Sequence, residues 1–266
     1  MDALKNQFKS NTGVKFLTVE KSIIGGKSSI FADVKGAYQF GASGISASDT
    51  TLRLRIDDET RDSLEELSET EEGEVSLLEI ITSPMRLVST KKGTYLSTPA
   101  IAPVLPEGKS WVGLPSSTLG GRVLVAQTLN VLEPATLKAL LSDVSSKKPG
   151  GNVDGARTTL YTGKLTYGEL YKVSPALRQL GKLDKSQAKS VVNWQLWLDA
   201  KNLPRRVVNF TDEKVSGVTT RSVSDTRYTG WGSRLTIKTP PAAEVLTEKD
   251  ALQEIPELPQ LFNVIK

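Results

Sequence analysis

The feature that most constrains the fold is alternation of polar and apolar residues between turn formers, which is clearest in NWQLWLDAKNLPRRVVNF, residues 193–210. Successive residues of a strand point to opposite faces of a sheet. One face of this segment carries Trp194, Leu196 and Leu198, and the other carries Gln195, Trp197 and Asp199. Turn-forming residues follow, and Pro204 favours extended chain where the second half begins. The segment predicts a β-hairpin in which Asp199 and Arg206 have structural rather than catalytic roles.

Similar β-rich segments, separated by glycine, proline and charged residues, occupy most of the chain. They cover residues 14–40, 45–57, 74–99 (two strands around Ser83-Pro84), 153–165, 214–228 and 233–241. Helical spacing is limited to short stretches near 3–11, 133–144 and 174–190. The best of these is EPATLKALLSDV, in which Pro134 suits the first turn and Leu137, Leu140, Leu141 and Val144 fall on one side. The pattern predicts an α+β fold built on an antiparallel sheet.

The chain contains neither cysteine nor histidine. Thiolate nucleophiles, disulfides, Ser-His-Asp relays and the common zinc sites are therefore excluded. An enzyme built from this sequence would need a cluster of buried carboxylates with perturbed pKa values inside a cleft. The sequence predicts no enzyme activity, no catalytic residue, no metal site and no cofactor.

Charge is unevenly distributed along the chain. Residues 57–74 hold ten of the 30 acidic residues and one of the 34 basic residues, although the net charge is +4. We expect this acidic block to be an exposed helix or a long hairpin tip. The basic residues elsewhere are scattered singly, without the aromatic and basic motifs of nucleic-acid-binding modules, so no nucleic-acid partner is expected. No apolar run is long enough to span a bilayer.

Three elements occur together in order: VDGARTTLYTGKL (153–165), LWLDAKNLPRR (196–206) and YTGWGSRLTIKTPPAAEVLT (228–247). They resemble the actinobacterial cell-envelope lipoproteins of the LolA-like superfamily. This superfamily includes outer-membrane lipoprotein carriers, lipid carriers of the LppX and LprG type, and sigma-factor regulators of the RseB type. The resemblance covers residues 150–247 well and residues 1–120 by strand order.

The resemblance implies a highly curved antiparallel β half-barrel whose concave side is covered by helices, with a hydrophobic cavity between them. We expect a single domain over residues 1–247 and a C-terminal extension over 248–266. A secreted precursor cut before a lipidated cysteine would account for the lack of a leader and of cysteine. The protein would then be extracytoplasmic, either anchored to the membrane surface by a lipid or secreted.

A lipid or acyl chain is the ligand that this architecture implies, because each buried methylene contributes about 0.8 kcal/mol. The predicted lid residues are Leu137, Leu140, Leu141 and Val144. The predicted wall residues are Leu78, Ile80, Tyr95, Trp194, Leu196 and Leu198. For each of these, packing into a closed core is as reasonable as lining a cavity. The alternative function is a protein–protein interaction or signalling module of the cell envelope, with a vestigial cavity.

Overall fold

The computed structural model describes residues 2–67, 77–114, 129–179, 181–215, 217–247 and 249–251. The strands are β1 (Thr12–Ile24), β2 (Lys27–Gly41), β3 (Gly44–Ile56), β4 (Met85–Thr90), β5 (Gly93–Ser97), β6 (Trp111–Leu114), β7 (Ser146–Val153), β8 (Ala156–Thr166), β9 (Val191–Asp199), β10 (Pro204–Val215), β11 (Val218–Arg234) and β12 (Val245–Leu246). The α-helices are α1 (Asp2–Lys5), α2 (Asp58–Leu67), α3 (Leu77–Thr82), α4 (Pro134–Ser142), α5 (Tyr167–Val173) and α6 (Pro175–Gln179). Short 3₁₀ turns lie at Pro99–Val104, Gln187–Lys189 and Ala242–Glu244.

Within the described residues, all twelve strands belong to one sheet in the order β12-β6-β5-β4-β3-β2-β1-β11-β10-β9-β8-β7. Every pair in it is antiparallel except β12 with β6. Over the part of the chain that the structure describes, the two outermost strands, β12 and β7, do not pair with each other, so the sheet is open there. The predicted α+β fold, a large curved antiparallel sheet with covering helices, is confirmed.

Local turn chemistry explains two of the long hairpins. Gly25 and Gly26 connect β1 to β2 with φ values of 58° and 87°. Asp154 and Gly155 connect β7 to β8 with φ values of 47° and 80°. Two consecutive residues with positive φ make a turn whose twist matches the twist of the paired strands, and glycine or aspartate tolerates it best. The VDG element of the sequence is therefore a hairpin turn.

The face of the sheet that the helices cover, here called the inner face, carries the main core. Phe16 on β1, Tyr38 on β2 and Tyr228 on β11 are each at most 4% exposed. Helix α4 and the segment 129–132 contribute to the same cluster through Leu129, Val131, Leu132, Leu137 and Leu140. A second cluster covers the inner face at the other end, where Ile101 and Leu246 pack with Leu87 and Leu96.

The opposite, outer face is charged. Arginine–aspartate pairs bridge neighbouring strands there: Arg55–Asp33, Arg86–Asp49, Arg206–Asp225 and Arg221–Asp212. Such pairs contribute little stability when they are exposed, about 0–1 kcal/mol each. The outer face is nevertheless not polar throughout, because Leu160, Trp197 and Val153 form a small buried cluster at its β7–β10 end. Elsewhere the charged outer face and the packed inner face are the division that period-two alternation predicts.

Two sequence expectations are affected by the observed elements. Residues 77–82 form helix α3 and not a strand, so β4 begins after Pro84. The acidic block was predicted to be a helix or a hairpin tip, and it is a helix over Asp58–Leu67. Residues 68–74 of the block lie outside the described residues. The predicted C-terminal extension also lies outside them, except for residues 249–251, of which Ala251 is buried in the second cluster.

Candidate functional site

The four residues predicted to form the lid and three of the six predicted wall residues come together in one cluster. Leu137 and Leu140 on α4 are each 1% exposed, and Leu141 and Val144 pack against the same cluster. Across from them, β9 contributes Trp194, Leu196 and Leu198, which are 2%, 0% and 3% exposed. The structure therefore places the leucine face of α4 over the inner face of the sheet. Whether these residues line a ligand cavity stays a prediction.

The three other predicted wall residues lie on α3 and β5. Leu78 lies on α3 and is half-buried, because residues 77–82 are helical. Ile80 lies in the same helix, and its side chain is outside the described residues. Tyr95 lies on β5 between Thr94 and Leu96, which are buried on the inner face, so strand alternation turns Tyr95 to the outer face. Leu78 and Tyr95 therefore do not contribute to a wall around Trp194.

Trp194 fits against a glycine on the neighbouring strand. Its register partner on β8 is Gly163, and a Cβ at position 163 would overlap the indole ring and the carbonyl oxygen of Asp143. Gly163 therefore gives the indole room to lie flat against the β8 backbone, beneath α4. The large ring fills the space between sheet and helix that a smaller residue would leave open.

A cavity of about 280 Å³ lies beside Trp194, between α4, α5 and β8. Its apolar lining comes from Leu140, Leu165, Val173 and Trp194, with Ala139 beside them. Charged residues complete it: Asp143, Lys164, Glu169 and Lys172. Small-molecule sites are usually mostly apolar clefts of roughly 300–1,000 Å³ with a few polar groups that fix orientation. This cavity, here called the seam cavity, is at the lower end of that range.

One charged group at the seam cavity is committed to the fold. Glu169 forms a capping box with Thr166 at the start of α5: its carboxylate accepts from the Thr166 backbone N–H at 2.7 Å, and its own N–H donates to the Thr166 hydroxyl at 3.1 Å. Hydrogen bonds from the Thr166 backbone and hydroxyl lower the pKa of Glu169 below its usual value. Lys164 lies between the inner-face residues Gly163 and Leu165 of β8, so strand alternation turns its side chain to the outer face. Lys172 on α5, which also interacts with Glu169, is the cationic side chain at this cavity that an anionic group could contact.

Glu133, which the sequence analysis did not single out, joins the covering helices. Its carboxylate accepts hydrogen bonds from the Thr136 and Ser174 hydroxyls at 2.9 and 2.6 Å and from the Ala176 backbone N–H at 2.9 Å. Thr136 lies in the first turn of α4, whereas Ser174 lies between α5 and α6. One side chain therefore fixes α4 to the helices beside it. Ser174 and Ala176 are 41 and 43 positions from Glu133 in sequence, so no local pattern indicates these two contacts.

A polar region follows Trp194 along the inner face. In register across five strands lie Trp194 on β9, Asn209 on β10, Ser224 on β11, Glu20 on β1 and Ala32 on β2. The next row contains Thr211, Ser222 and Ser22 on β10, β11 and β1. These groups surround a second cavity of about 250 Å³, here called the polar cavity. The sequence analysis predicted an apolar trough and did not find this region.

Glu20 is the one carboxylate in the lining of the polar cavity. The Ser224 hydroxyl donates a hydrogen bond of 3.2 Å to it. Burial raises the pKa of Glu20 to about 7, and the Ser224 hydrogen bond opposes that shift only in part. A single carboxylate is not the cluster that an enzyme built from this sequence would require.

The hairpin at 193–210 is confirmed: β9 and β10 are antiparallel neighbours, with a register shift between Pro204 and Arg206. Asp199 lies at its turn, where one carboxylate oxygen accepts from the Lys201 and Leu203 backbone N–H groups at 2.9 Å. The other oxygen accepts from Arg205 Nε at 2.8 Å. Arg206 forms two hydrogen bonds to Asp225 across the sheet. Both residues have the structural roles that were predicted.

No family model matches the sequence, and no curated protein matches it. Three solved structures are similar to most of the chain. A hypothetical protein from Chlamydia trachomatis is 7% identical, with a TM-score of 0.28, covering 89% of this chain and 97% of its own. A DUF1329 family protein from Desulfovibrio piger is 10% identical, with a TM-score of 0.26 and coverages of 88% and 92%. A LolA superfamily protein from Nitrosomonas europaea is 6% identical, with a TM-score of 0.24 and coverages of 90% and 92%.

TM-scores this low carry no argument about function, which must come from the site itself. In the part of the chain that the structure describes, no helix has both the length and the apolar character needed to cross a bilayer. The same residues contain no group of three or more acidic side chains arranged to hold a metal ion.

Proposed function

We propose that the protein is a non-enzymatic binding protein for an amphiphile, whose acyl chain enters the seam cavity and whose anionic end contacts Lys172. The observation that carries the proposal is the composition of this cavity, with apolar residues from α4, α5, β8 and β9 beside Lys172. A few buried methylenes at about 0.8 kcal/mol each suffice for useful binding. The same proposal puts the protein outside the cytoplasmic membrane, held there by a lipid anchor, as the sequence resemblance implies.

The position of α4 supports a route by which a longer acyl chain could enter the seam cavity. Leu137 and Leu140 contact the sheet only through side chains, so outward movement of α4 would extend the seam cavity over Trp194 and Leu196. The Glu133 hydrogen bonds oppose this movement. A helix that opens and closes on a ligand is a common way to control entry and release.

Quenching of tryptophan fluorescence by stearate labelled with bromine tests the proposal, because bromine quenches an indole only at close contact. We expect quenching in the wild type and its loss in Trp194→Phe, whereas Trp111→Phe, on the distant strand β6, should keep it. Lys172→Gln should weaken binding several-fold, as expected for an exposed ion pair, whereas Lys164→Gln, on the outer face of β8, should not. Equal quenching in Trp194→Phe and the wild type would contradict the site.

A second function is favoured by the burial of the same leucines. Leu137, Leu140 and Leu196 are each at most 1% exposed and belong to one core cluster, which is the arrangement of a closed interaction module. Extraction of the purified protein followed by mass spectrometry separates the two functions. Co-purifying lipid supports the carrier, and its absence together with no bromine quenching supports an envelope interaction or signalling module.

A further inference from the structure

The polar cavity contains buried hydrogen-bonding groups without protein partners. Asn209 is 4% exposed and Thr211 is 6% exposed, and both line this cavity. Within the described residues, neither side chain has a hydrogen-bond partner. Thr98 Oγ1 is the described side-chain atom that is both sealed from solvent and unpaired, so the polar atoms of Asn209 and Thr211 are accessible from the cavity. They are therefore available to water or to a ligand that enters it.

The charge of the cavity is also uncompensated. Glu20 accepts one hydrogen bond from Ser224, and within the described residues it forms no ion pair. A desolvated carboxylate is costly unless a cation lies beside it. The other charged residue in the lining, Lys21, is the next residue on β1 and so points to the outer face, where it has its own contacts. The remaining polar lining consists of hydroxyl and amide groups, which offer oxygen acceptors.

From these observations we infer that the polar cavity binds a ligand with a protonated amino group, which pairs with Glu20 and donates to the oxygens of Asn209 and Thr211. An ammonium group has three donors and no acceptor, so it matches a site with one carboxylate and several neutral oxygens. The cavity opens past Ser222, which is exposed, so a small ligand reaches it from solvent. The inference does not depend on lipid binding at the seam cavity.

The register of the sheet explains why these groups meet. Glu20, Ser224 and Asn209 are direct neighbours across β1, β11 and β10, where adjacent strands lie about 4.8 Å apart. Ser22, Ser222 and Thr211 form the next row on the same face. The polar cavity therefore rests on three long central strands and is held rigidly, which favours precise recognition of a small group.

Ethanolamine and ethylene glycol are matched probes, because they differ in size very little and only ethanolamine carries a cation. Titration followed by amide chemical shifts should show ethanolamine, and not ethylene glycol, shifting the backbone signals of Ser224 and the side-chain signals of Asn209. Since ethanolamine stays protonated between pH 6 and 8 while Glu20 ionises, its affinity should rise about tenfold over this range.

Glu20→Gln keeps the shape and hydrogen bonding of the side chain and removes the charge. We expect it to reduce ethanolamine affinity at pH 8 at least tenfold and to abolish the pH dependence, whereas Glu213→Gln, at an exposed position on β10, should change neither. Both variants should first give the folded amide spectrum of the wild type. Binding of ethylene glycol as tightly as ethanolamine, or unchanged ethanolamine binding by Glu20→Gln, would overturn the inference.

Bromine quenching provides an independent check on both proposals. Glu20→Gln should bind labelled stearate at the seam cavity as the wild type does, because Glu20 is not among the residues lining that cavity. Loss of ethanolamine binding with quenching retained supports the amine site whatever the fate of the lipid proposal. A variant that loses both would contradict the separation of the two cavities.

Discussion

Glu20 holds a carboxyl group where ionisation is costly. Burial raises its pKa from 4.5 to about 7, and the Ser224 hydrogen bond lowers it only in part. The folded pKa lies above the unfolded value, so the folded state binds the proton more tightly. Its contribution to stability is therefore fully present below about pH 4.5 and is lost as the pH rises through 7. The chain has no histidine, so few other side chains titrate in this window.

Glu20→Gln should therefore change stability in a pH-dependent way. At pH 8 the variant avoids the cost of an ionised buried carboxylate and should be more stable than the wild type by on the order of 3 kcal/mol at most. At pH 4.5 the two proteins should have similar free energies of unfolding. Urea unfolding at both pH values measures the difference, with Glu213→Gln as the exposed control. An equal gain at both pH values would mean that burial of the charge is not the cause.

Asp199 and Asp212 are matched tests of buried and exposed ion pairs. The Asp199 side chain is 6% exposed in its pair with Arg205 and also accepts two backbone N–H groups, whereas Asp212 is 41% exposed in its pair with Arg221. Asp199→Ala should lower the free energy of unfolding by about 2–4 kcal/mol, because it leaves the Leu203 N–H, at a buried position, and Arg205 without the Asp199 carboxylate. Asp212→Ala should cost less than about 1 kcal/mol. Similar losses in the two variants would show that the turn tolerates unpaired donors.

At the scale of elements, the covering helices depend on one carboxylate. Glu133 joins the first turn of α4 to the junction of α5 and α6. Glu133→Ala should leave the sheet intact and increase hydrogen exchange in α4, α5 and α6 by at least tenfold, since it removes charge-assisted bonds worth about 1.5–3 kcal/mol each. The exposed α4 residue Lys138 offers the control Lys138→Ala. A uniform rise in exchange over the whole sheet would contradict a role confined to the helices.

The contact of Trp194 with β8 predicts the effect of adding a single methyl group. Gly163→Ala places a Cβ against the indole ring and should destabilise the protein by about 1–3 kcal/mol through overpacking. The emission of Trp194 should shift, because the ring must leave its position under α4. A Cβ at position 41 would meet the Ser46 side chain and, at ordinary contact distance, the Gly44 carbonyl oxygen, so Gly41→Ala provides the control. An unchanged spectrum in Gly163→Ala would mean that the ring has spare room.

The extent of sequence prediction differs between these elements. Helix α4 could be predicted because four apolar residues repeat at helical spacing after a proline that suits a first turn. Helix α3 could not, because a short apolar run such as LLEIIT fits a strand or a helix equally well and tertiary contacts decide. The lid residues of α4 and the wall residues of β9 could be predicted because each set repeats with the period of its own element. Glu133 and the row of Glu20, Ser224 and Asn209 depend on contacts between distant segments, which no local pattern records.

For the whole molecule, an open sheet leaves strand edges that must be protected. Strand β7 is an outermost strand, and its residues from Ser146 to Pro149 are exposed. Lys147 and Lys148 are positively charged residues on this edge strand, and Pro149 has no backbone N–H to donate. Lysine and proline at an edge discourage pairing with the edge of another molecule. At the opposite end, β12 is only two residues long, which limits pairing there in another way.

Replacing Lys147, Lys148 and Pro149 by threonine should therefore promote association of the protein. The change restores the missing donor, removes two charges and introduces a residue that favours strands, so β7 becomes a template for antiparallel pairing. Sedimentation velocity should show dimers or larger species at concentrations at which the wild type gives a single smaller species. Lys15→Thr with Lys35→Thr removes the same charge from β1 and β2, which are paired on both sides, and should not associate. Association of both variants would assign the effect to net charge, whereas association of the β7 variant alone would assign it to the exposed edge.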